Sequence, residues 1–305
     1  MMTSTARKDN LFFDQGSLIV GKWHRTKYTV VKQLGAGMIG TVYLCRAQGR
    51  LVALKISEQQ MSMTTEVNVL KMLNKVQDCR LGPFLYEVDD WVAPNQMIYS
   101  FYVMEYIPGT RIDTYIKRRG TEWVIVLLVQ LLDELEKVHQ AGWVFGDLKK
   151  EHILIQENPL LIRCIDVGGM TKRGRSIKEY SEFYDRAYWQ LGTRVAEPSY
   201  DLFAIVMIIL SIYYPRQFKR QATPRQDLFP KIAMIKELRI IHPILRAALE
   251  GKYTSAKAMK ADIMNSAIRR QTSRKDRQKS TPSYFIQSFI VITIAAVYYG
   301  ISLLF

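Results

Sequence analysis

Hydrophobic positions follow two different periods along this chain. Up to about residue 106, apolar and polar residues alternate within short runs rich in Val, Tyr and Thr, which is typical of half-buried strands. Glycine or polar turns separate the runs. The pattern predicts five strands in this part of the chain, at residues 28–34, 41–46, 51–56, 84–88 and 97–106.

A helical period prevails after the break at Pro108 and Gly109. Apolar residues there recur every three to four positions, which favours amphipathic or buried helices. One helix, at 63–73, also interrupts the strands. The pattern predicts an α+β chain in which a five-stranded lobe precedes a mainly helical lobe, with helices starting near Ile112 and at 122–139, 202–213 and 255–268.

The last part of the chain differs from both lobes. Residues 285–305 form 21 consecutive positions without a charge. A helix of that length spans about 30 Å at a rise of ~1.5 Å per residue, which is the hydrocarbon thickness of a bilayer. The alternative is a buried core helix. Because basic residues precede the segment, the positive-inside tendency places the rest of the chain in the cytoplasm, at the cell membrane.

These changes in pattern divide the chain into five predicted segments. The second and third are the two lobes, and the last is a transmembrane helix. The bounds are 1–25 for an N-terminal extension, 26–106 for the N-lobe, 107–268 for the C-lobe, 269–283 for a basic juxtamembrane linker and 284–305 for the membrane helix.

The net charge of +15 predicts an anionic partner. Residues 269–279 hold six basic side chains against one acid, Asp276. Beside a membrane helix such a cluster attracts anionic lipid, and the same charges also follow a DNA backbone. Charge alone leaves both partners open. The predicted lipid or nucleic-acid contacts are Arg269, Arg270, Arg274, Lys275, Arg277 and Lys279.

Composition also excludes several classes of protein. A hydrophobic content of 48% is too high for a disordered chain. The three cysteines are far apart and odd in number, so they suggest neither a disulfide framework nor a metal site. The sequence does not decide whether the membrane helix self-associates into a homodimer, although Ala295, Ala296 and Gly300 offer small surfaces.

A glycine-rich turn and a lysine on a strand indicate a nucleotide site. The turn has the spacing G-x-G-x-x-G-x-V, in which glycines let the backbone approach phosphates. Lys55 lies on the apolar strand that follows, where an ammonium group is costly unless it meets phosphate or carboxylate. We predict that this region binds the nucleotide through Leu34, Gly35, Gly37, Gly40, Val42, Ala53 and Lys55.

Further residues complete the predicted nucleotide site. Glu66, on the first helix, is the predicted ion-pair partner of Lys55, with Glu58 as a nearby competitor. Met104, Glu105 and Tyr106 end the fifth strand directly before Pro108, and we predict that their backbone contacts the adenine edge.

Two aspartates carry the predicted chemistry. Asp147 and Asp166 each follow a short apolar run, and such a pair suits phosphoryl transfer, with one acid oriented toward an attacking hydroxyl and the other holding Mg²⁺. Lys149, two residues after Asp147, stabilises charge on the transferred group. Asp147, Lys149 and Lys55 are therefore the predicted catalytic residues, and Asp166 is the predicted metal ligand.

In this order the motifs resemble those of the eukaryotic-like protein kinase superfamily, over about residues 26–265. The resemblance implies a bilobal kinase fold, ATP, Mg²⁺ or Mn²⁺, and protein substrates phosphorylated on Ser or Thr. It also implies that Leu154 forms part of the adenine floor. The size and order of segments look like the small membrane-tethered Ser/Thr kinases of spore-forming bacteria.

The chain departs from the family pattern at three places. Phe145 and Gly146 replace the His-Arg pair before the catalytic aspartate, so no arginine stands there to receive a phosphorylated loop. His152 replaces the asparagine that binds a second metal ion, and imidazole is a poorer ligand for Mg²⁺ than oxygen. Near the scrambled Ala-Pro-Glu motif, we predict that Lys252 pairs with Glu197.

Three functions remain open at this stage. The first is an active Ser/Thr protein kinase, with DNA as a candidate activator and Thr171, Ser176, Ser181 and Thr193 as candidate autophosphorylation sites. The second is a pseudokinase that binds protein or nucleic acid. The third is a kinase-fold phosphotransferase that acts on a lipid or sugar.

Overall fold

The computed structural model describes residues 13–279 except 38 and 222, with the backbone alone for 269–279. The chain divides into two compact units between Lys260 and Ala261, and the site described below lies within the first. The predicted membrane helix at 284–305 lies outside the described residues, as do the side chains predicted to contact lipid or DNA. Within the described range, the structure contains no helix with the length and apolar content of a membrane span.

The first lobe is an antiparallel sheet in the spatial order β1-β2-β3-β4-β6-β5. One helix, α1, connects β4 to β5. Alternate residues of β4, namely Val52, Leu54 and Ile56, join the apolar core on one face of the sheet, whereas Ala53 and Lys55 point to the other face. The elements are β1 (Leu18–Val20), β2 (Lys27–Ala36), β3 (Thr41–Ala47), β4 (Arg50–Ser57), α1 (Gln60–Leu73), β5 (Leu85–Val92) and β6 (Ile98–Glu105).

The sheet of the first lobe has six strands, one more than the five predicted. Strand β1 comes from the predicted N-terminal extension and pairs with β2, where Ile19 lies opposite Tyr28. Ile19 is fully buried in the core of the sheet. Because this strand is only three residues long, it is too short for a periodic pattern to reveal it.

The second lobe is mainly helical, as predicted. Helix α4 lies at its centre and is buried from Pro198 to Ser211, which explains why it is apolar on all sides. Two small sheets, β10-β9-β7 and β11-β8, carry the loops of the site. The elements are β7 (Thr110–Arg111), α2 (Ile112–Arg119), α3 (Trp123–Gln140), β8 (Trp143–Val144), β9 (Ile153–Glu157), β10 (Leu160–Cys164), β11 (Thr171–Lys172), α4 (Pro198–Tyr213), α5 (Pro224–Met234), α6 (His242–Leu249) and α7 (Ala256–Lys279).

The last helix extends beyond its predicted end at residue 268. Helix α7 continues to Lys279, so the described part of the predicted 269–283 linker is helical. The reason is compositional: Arg, Lys and Gln favour helix, and neither glycine nor proline interrupts the chain between residues 256 and 279.

Candidate active site

One cavity of about 850 Å³ gathers the predicted nucleotide, catalytic and metal residues. It opens between the sheet and the helical lobe, so strands from the first lobe face loops from the second. Every such predicted residue lines it: Leu34, Gly35, Gly37, Gly40, Val42, Ala53, Lys55, Glu66, Met104, Glu105, Tyr106, Asp147, Lys149, His152, Leu154 and Asp166.

The glycines of the β2–β3 turn serve different purposes. A Cβ at Gly40 would lie 2.4 Å from the carbonyl oxygen of Ile56, so packing alone requires glycine there. A Cβ at Gly35 would meet nothing within 4 Å. The turn is closed by a hydrogen bond from the Gly37 N–H to the Gly40 carbonyl at 2.9 Å. The open space over Gly35 therefore remains available to a ligand.

Lys55 forms the predicted ion pair with Glu66. Its Nζ lies 2.7 Å from Oε1 and 2.6 Å from Oε2 of Glu66, whose side chain is only 4% exposed. The competitor Glu58 is exposed. Tyr102, which pairs with Lys55 across β4 and β6, donates to Glu66 Oε2 at 2.6 Å. Burial, together with the charge of Glu66, raises the pKa of Tyr102 well above its ordinary value, which keeps this hydroxyl a donor.

The catalytic loop brings Asp147 and Lys149 together. Lys149 Nζ donates to Asp147 Oδ2 at 2.5 Å, and both side chains face the cavity. Asp201, on α4, fixes the backbone just before them by accepting from the N–H groups of Phe145 at 2.8 Å and Gly146 at 2.9 Å. Asp201 also lies 2.8 Å from Nε2 of His139 and is fully buried. Sequence analysis assigned no role to Asp201, although a lone acid within an otherwise apolar helix indicates one.

The conformation of Gly146 accounts for one departure from the family pattern. Its φ is +83°, and a Cβ would lie 2.7 Å from the carbonyl oxygen of Gly169. Gly169 is equally confined, because its own Cβ would lie 2.8 Å from Cβ of Asp147. A side chain such as arginine at position 146 is therefore incompatible with this backbone.

Asp166 presents an open carboxylate to the cavity. Its side chain is 46% exposed, and Oδ1 accepts the N–H of Gly168 at 3.0 Å. Nε2 of His152 lies 3.6 Å from Asp166 Oδ2. Burial lowers the pKa of His152 below its ordinary value, against the pull of Asp166, so the imidazole is neutral at pH 7. The pair thus offers one hard oxygen group and one neutral nitrogen.

Glu105 connects the two lobes at the hinge. Arg163, on β10, donates to both carboxylate oxygens, at 2.9 Å and 2.6 Å, and Glu105 also accepts the N–H of Phe84 at 3.2 Å. Burial raises the pKa of Glu105, but the hydrogen bonds and charge of Arg163 outweigh it and hold the pKa below the ordinary value. Sequence reasoning missed Arg163, which is the single charge within strand β10.

A segment that the sequence did not assign to the site also lines the cavity. It comprises residues 178–181. Ser181 Oγ donates to Asp147 Oδ1 at 3.1 Å and lies 3.4 Å from Lys149 Nζ. Burial and the negative charges of Asp166, Glu66 and Asp147 raise the pKa of Glu179.

The predicted pairing of Lys252 with Glu197 is wrong. Glu197 is bound instead by Arg186, whose side chain is 5% exposed. Lys252 Nζ lies 2.6 Å from Oε2 of Glu250, two residues earlier in the chain. Arg186 also donates to the Ser199 hydroxyl at 2.7 Å, so the buried arginine already belongs to a network into which an exposed lysine does not reach.

The fold and this site define a protein kinase, and sequence comparison agrees. The family model for the protein kinase domain matches residues 28–280, so the chain belongs to this family. The serine/threonine-protein kinase YabT of Bacillus subtilis strain 168 is 46% identical over 268 residues, which cover 88% of this chain and 79% of YabT. The general part of the first predicted function is thereby confirmed: the chain is a Ser/Thr protein kinase by family, a class that uses ATP and a divalent metal ion.

More distant relatives agree with the family. The protein kinase PINOID 2 of Arabidopsis thaliana is 30% identical over 141 residues, or 43% of this chain and 26% of that protein. The kinase domain of Mycobacterium tuberculosis PknI superposes with a TM-score of 0.58 at 16% identity, covering 84% of this chain and 100% of that domain. At that identity the likeness concerns the fold alone, and it confirms the bilobal kinase architecture.

Proposed function

We propose that Asp147, Lys149 and Lys55 perform the transfer of the ATP γ-phosphoryl group to a protein hydroxyl. The supporting observation is that Lys55, Asp147 and Asp166, which come from both lobes, line one cavity. Asp147 accepts the proton of the acceptor hydroxyl, and Lys149 stabilises the charge on the transferred group. Lys55, held by Glu66, contacts the α- and β-phosphates.

The walls of the cavity fit the rest of ATP. Val42 and Ala53 from the first lobe and Leu154 from the second give the cavity apolar walls, as expected for a pocket that binds an adenine ring. The backbone of residues 104–106 lies at the hinge edge of the same cavity, where it contacts the adenine edge in our proposal. The space over Gly35 leaves room for phosphates.

The acids also fit a divalent metal ion. Asp166 would hold it, because its half-exposed carboxylate is a hard oxygen ligand of the kind that Mg²⁺ and Mn²⁺ prefer. When bound, the ion neutralises charge on the phosphates. His152 would be a weak second ligand, since imidazole nitrogen suits these hard ions less well than oxygen.

Phosphate transfer by the purified full-length chain tests this proposal. Casein serves as a general protein acceptor, with labelled ATP and either Mg²⁺ or Mn²⁺. We expect label on casein that disappears in Asp147→Ala and in Lys55→Ala, but persists in Asp133→Ala, whose aspartate lies on the surface. Nucleotide binding without transfer would support the pseudokinase, and label confined to added lipid or sugar would support the third function.

We further propose that residues 284–305 tether the kinase to the cell membrane, with the kinase domain on the cytoplasmic face. The support is the run of 21 uncharged residues after a basic segment. Expressed in bacteria, the full chain should remain in the membrane pellet after an alkaline wash. A variant carrying Ala295→Glu and Ala296→Glu should be released, and retention of this variant would contradict the tether.

We also propose that the basic segment attracts DNA and that DNA raises kinase activity. Nine basic and two acidic residues lie between Gly251 and Lys279, which gives a net charge of +7. Such binding should weaken as salt rises from about 50 to 300 mM, because Lys and Arg release counterions from the phosphates. Unchanged casein labelling with added duplex DNA, together with no retention on DNA, would reject the proposal and leave anionic lipid as the partner.

A further inference from the structure

We infer that the sheet of the first lobe carries a binding site for Zn²⁺, formed by one imidazole and two carboxylates. The ligands are His24, Glu87 and Asp89, each of which offers one atom within 4.8 Å of the other two. His24 lies on the loop between β1 and β2, and the two acids lie on β5. None of the three is among the described residues that line the nucleotide cavity.

The spacing of these atoms is close to that of a tetrahedral zinc site. Zn²⁺ binds nitrogen and oxygen ligands at about 2.0–2.2 Å, which separates any two ligands by roughly 3.3–3.6 Å. Nδ1 of His24 lies 3.1 Å from Oδ2 of Asp89 and 3.9 Å from Oε1 of Glu87. The imidazole is 57% exposed and the Glu87 side chain 22% exposed, so both have room to rotate. The exposed side also leaves a fourth position open to water.

Asp89 is a fixed ligand, because its side chain is fully buried. Oδ1 accepts the N–H groups of Trp23 at 2.9 Å and Asp90 at 2.7 Å, and Oδ2 accepts the N–H of His24 at 2.8 Å. A Cβ at Gly21 would lie 2.3 Å from Oδ2, so the loop can pass this close to the carboxylate only with glycine there. The loop and β5 therefore fit closely around this acid.

Glu87 is oriented by two hydroxyl groups. Tyr28 donates to Oε1 at 2.8 Å, and Thr26 donates to Oε2 at 3.1 Å. Hydrogen bonds of this kind commonly support the carboxylates that ligate a metal ion. A carboxylate oxygen can accept two bonds, so an oxygen with one hydroxyl partner keeps a lone pair for the ion.

The two acids also lack a basic partner of fixed charge. In the described part of the chain, their ion pairs are with His24 and include neither lysine nor arginine. Lys22, on the same loop, instead places its Nζ 4.5 Å over the ring of Trp23. A buried carboxylate is costly without a counter-charge, which a divalent ion supplies. One nitrogen and two oxygens suit Zn²⁺ better than Mg²⁺ or Ca²⁺, which prefer oxygen alone.

A bound ion would join the two ends of the sheet. Strands β1 and β2 lie at one end of the spatial order, and β5 lies at the other. The loop already meets β5, since the N–H of Lys22 donates to the carbonyl of Asp90 at 2.7 Å. An ion that binds the folded chain and not the unfolded chain stabilises the fold by mass action. The melting midpoint should therefore rise with the concentration of Zn²⁺.

Zinc binding by the purified full-length chain tests the inference. The chain carries Asp166→Ala, which removes the proposed ligand of the catalytic metal ion, and a chelator strips bound metal before calorimetric titration with ZnCl₂. We expect one equivalent of Zn²⁺ to bind and the melting midpoint to rise. In this background, His24→Ala and Glu87→Gln should each weaken binding by more than about tenfold, since even changes around the ligands of a metal site cost that much.

Lys22→Ala is the matched control, because it changes the same loop without removing a ligand, and it should bind Zn²⁺ as the parent does. Absence of binding by the Asp166→Ala chain would overturn the inference, as would equal binding in His24→Ala and Lys22→Ala. Should His24→Ala fail to fold without metal, Glu87→Gln decides by the same tenfold criterion.

X-ray absorption at the zinc edge locates the ion independently. Imidazole and oxygen neighbours around the bound Zn²⁺ would support the site on β5. A sulfur neighbour would place the ion on a cysteine and contradict the inference.

Discussion

Two aspartates of the catalytic lobe, Asp201 and Asp166, contrast in their surroundings. Asp201 is fully buried, and its oxygens accept two backbone N–H groups and face the His139 ring. Asp166 is 46% exposed and accepts one N–H group, that of Gly168. A buried acid whose oxygens are all engaged fixes the backbone, whereas an open acid keeps oxygens free for a ligand. The difference separates residues that build this site from residues that act in it.

Asp147 is buried like Asp201, but its oxygens accept from the side chains of Lys149 and Ser181 at the cavity, and its loss should have the largest effect on activity. Asp147→Asn removes the proton acceptor while it keeps the side-chain shape, so kcat should fall by about 10²–10⁴. The midpoint of thermal unfolding should change little. Initial rates on casein and a melting curve measure the two quantities, and a wild-type kcat in this variant would place the catalytic base elsewhere.

Loss of Asp201 should instead lower the free energy of unfolding. Asp201→Ala leaves the N–H groups of Phe145 and Gly146 buried without a partner, at a cost of about 1–3 kcal/mol for each such group. Denaturant unfolding measures the loss. The matched control is Asp133→Ala, which removes a surface ion pair with Lys260 and should change stability by less than about 1 kcal/mol. An equal loss of unfolding free energy in Asp201→Ala and Asp133→Ala would contradict the structural role of Asp201.

Glu66 combines features of Asp201 and Asp166, since it is buried like the first and lines the cavity like the second. Glu66→Gln removes the charge that holds Lys55, a loss of about 1.5–3 kcal/mol, which corresponds to roughly ten- to a hundredfold in kcat/KM for ATP. Glu58→Gln is the matched control, because Glu58 is near in sequence but exposed. An equal fall in kcat/KM in Glu66→Gln and Glu58→Gln would contradict the role of Glu66 as the partner of Lys55.

The smallest effect concerns Glu105, and it depends on pH. Arg163 holds the pKa of Glu105 below its ordinary value of 4.5, so the unfolded chain binds more protons than the folded chain between the two values. The contribution of Glu105 to stability is complete above about pH 4.5 and is lost as the pH falls through the folded pKa. Glu105→Gln should therefore flatten the acid side of the curve of unfolding free energy against pH. An identical slope in both proteins would show that the ion pair has no such role.

Local sequence was sufficient to predict those cavity residues that lie in short motifs. The glycine turn, Lys55, Asp147 and Asp166 each lie in short motifs whose order is informative, and the structure brings them to one cleft. The helices α1, α3 and α4 were also predicted close to their bounds, because their periodic runs are long.

Several residues that sequence analysis missed contact partners that are far away in the sequence. Asp201 reaches Phe145 over 56 positions, and Arg163 reaches Glu105 over 58. Tyr102 meets Glu66 only because β6 pairs with β4 in a register that periodicity does not determine. The position of Ser181 likewise depends on a loop that no regular pattern constrains.

The central claim is that the terminal phosphate of ATP lies between Lys55, Asp147 and Asp166. The most direct test is a crystal structure of the full-length chain with a non-hydrolysable ATP analogue and Mn²⁺, in which anomalous scattering locates the metal. The account predicts the metal at the Asp166 carboxylate, Lys55 in contact with the α- and β-phosphates, and the γ-phosphate facing Asp147. A nucleotide bound outside this cleft, or phosphates turned away from all three side chains, would contradict it.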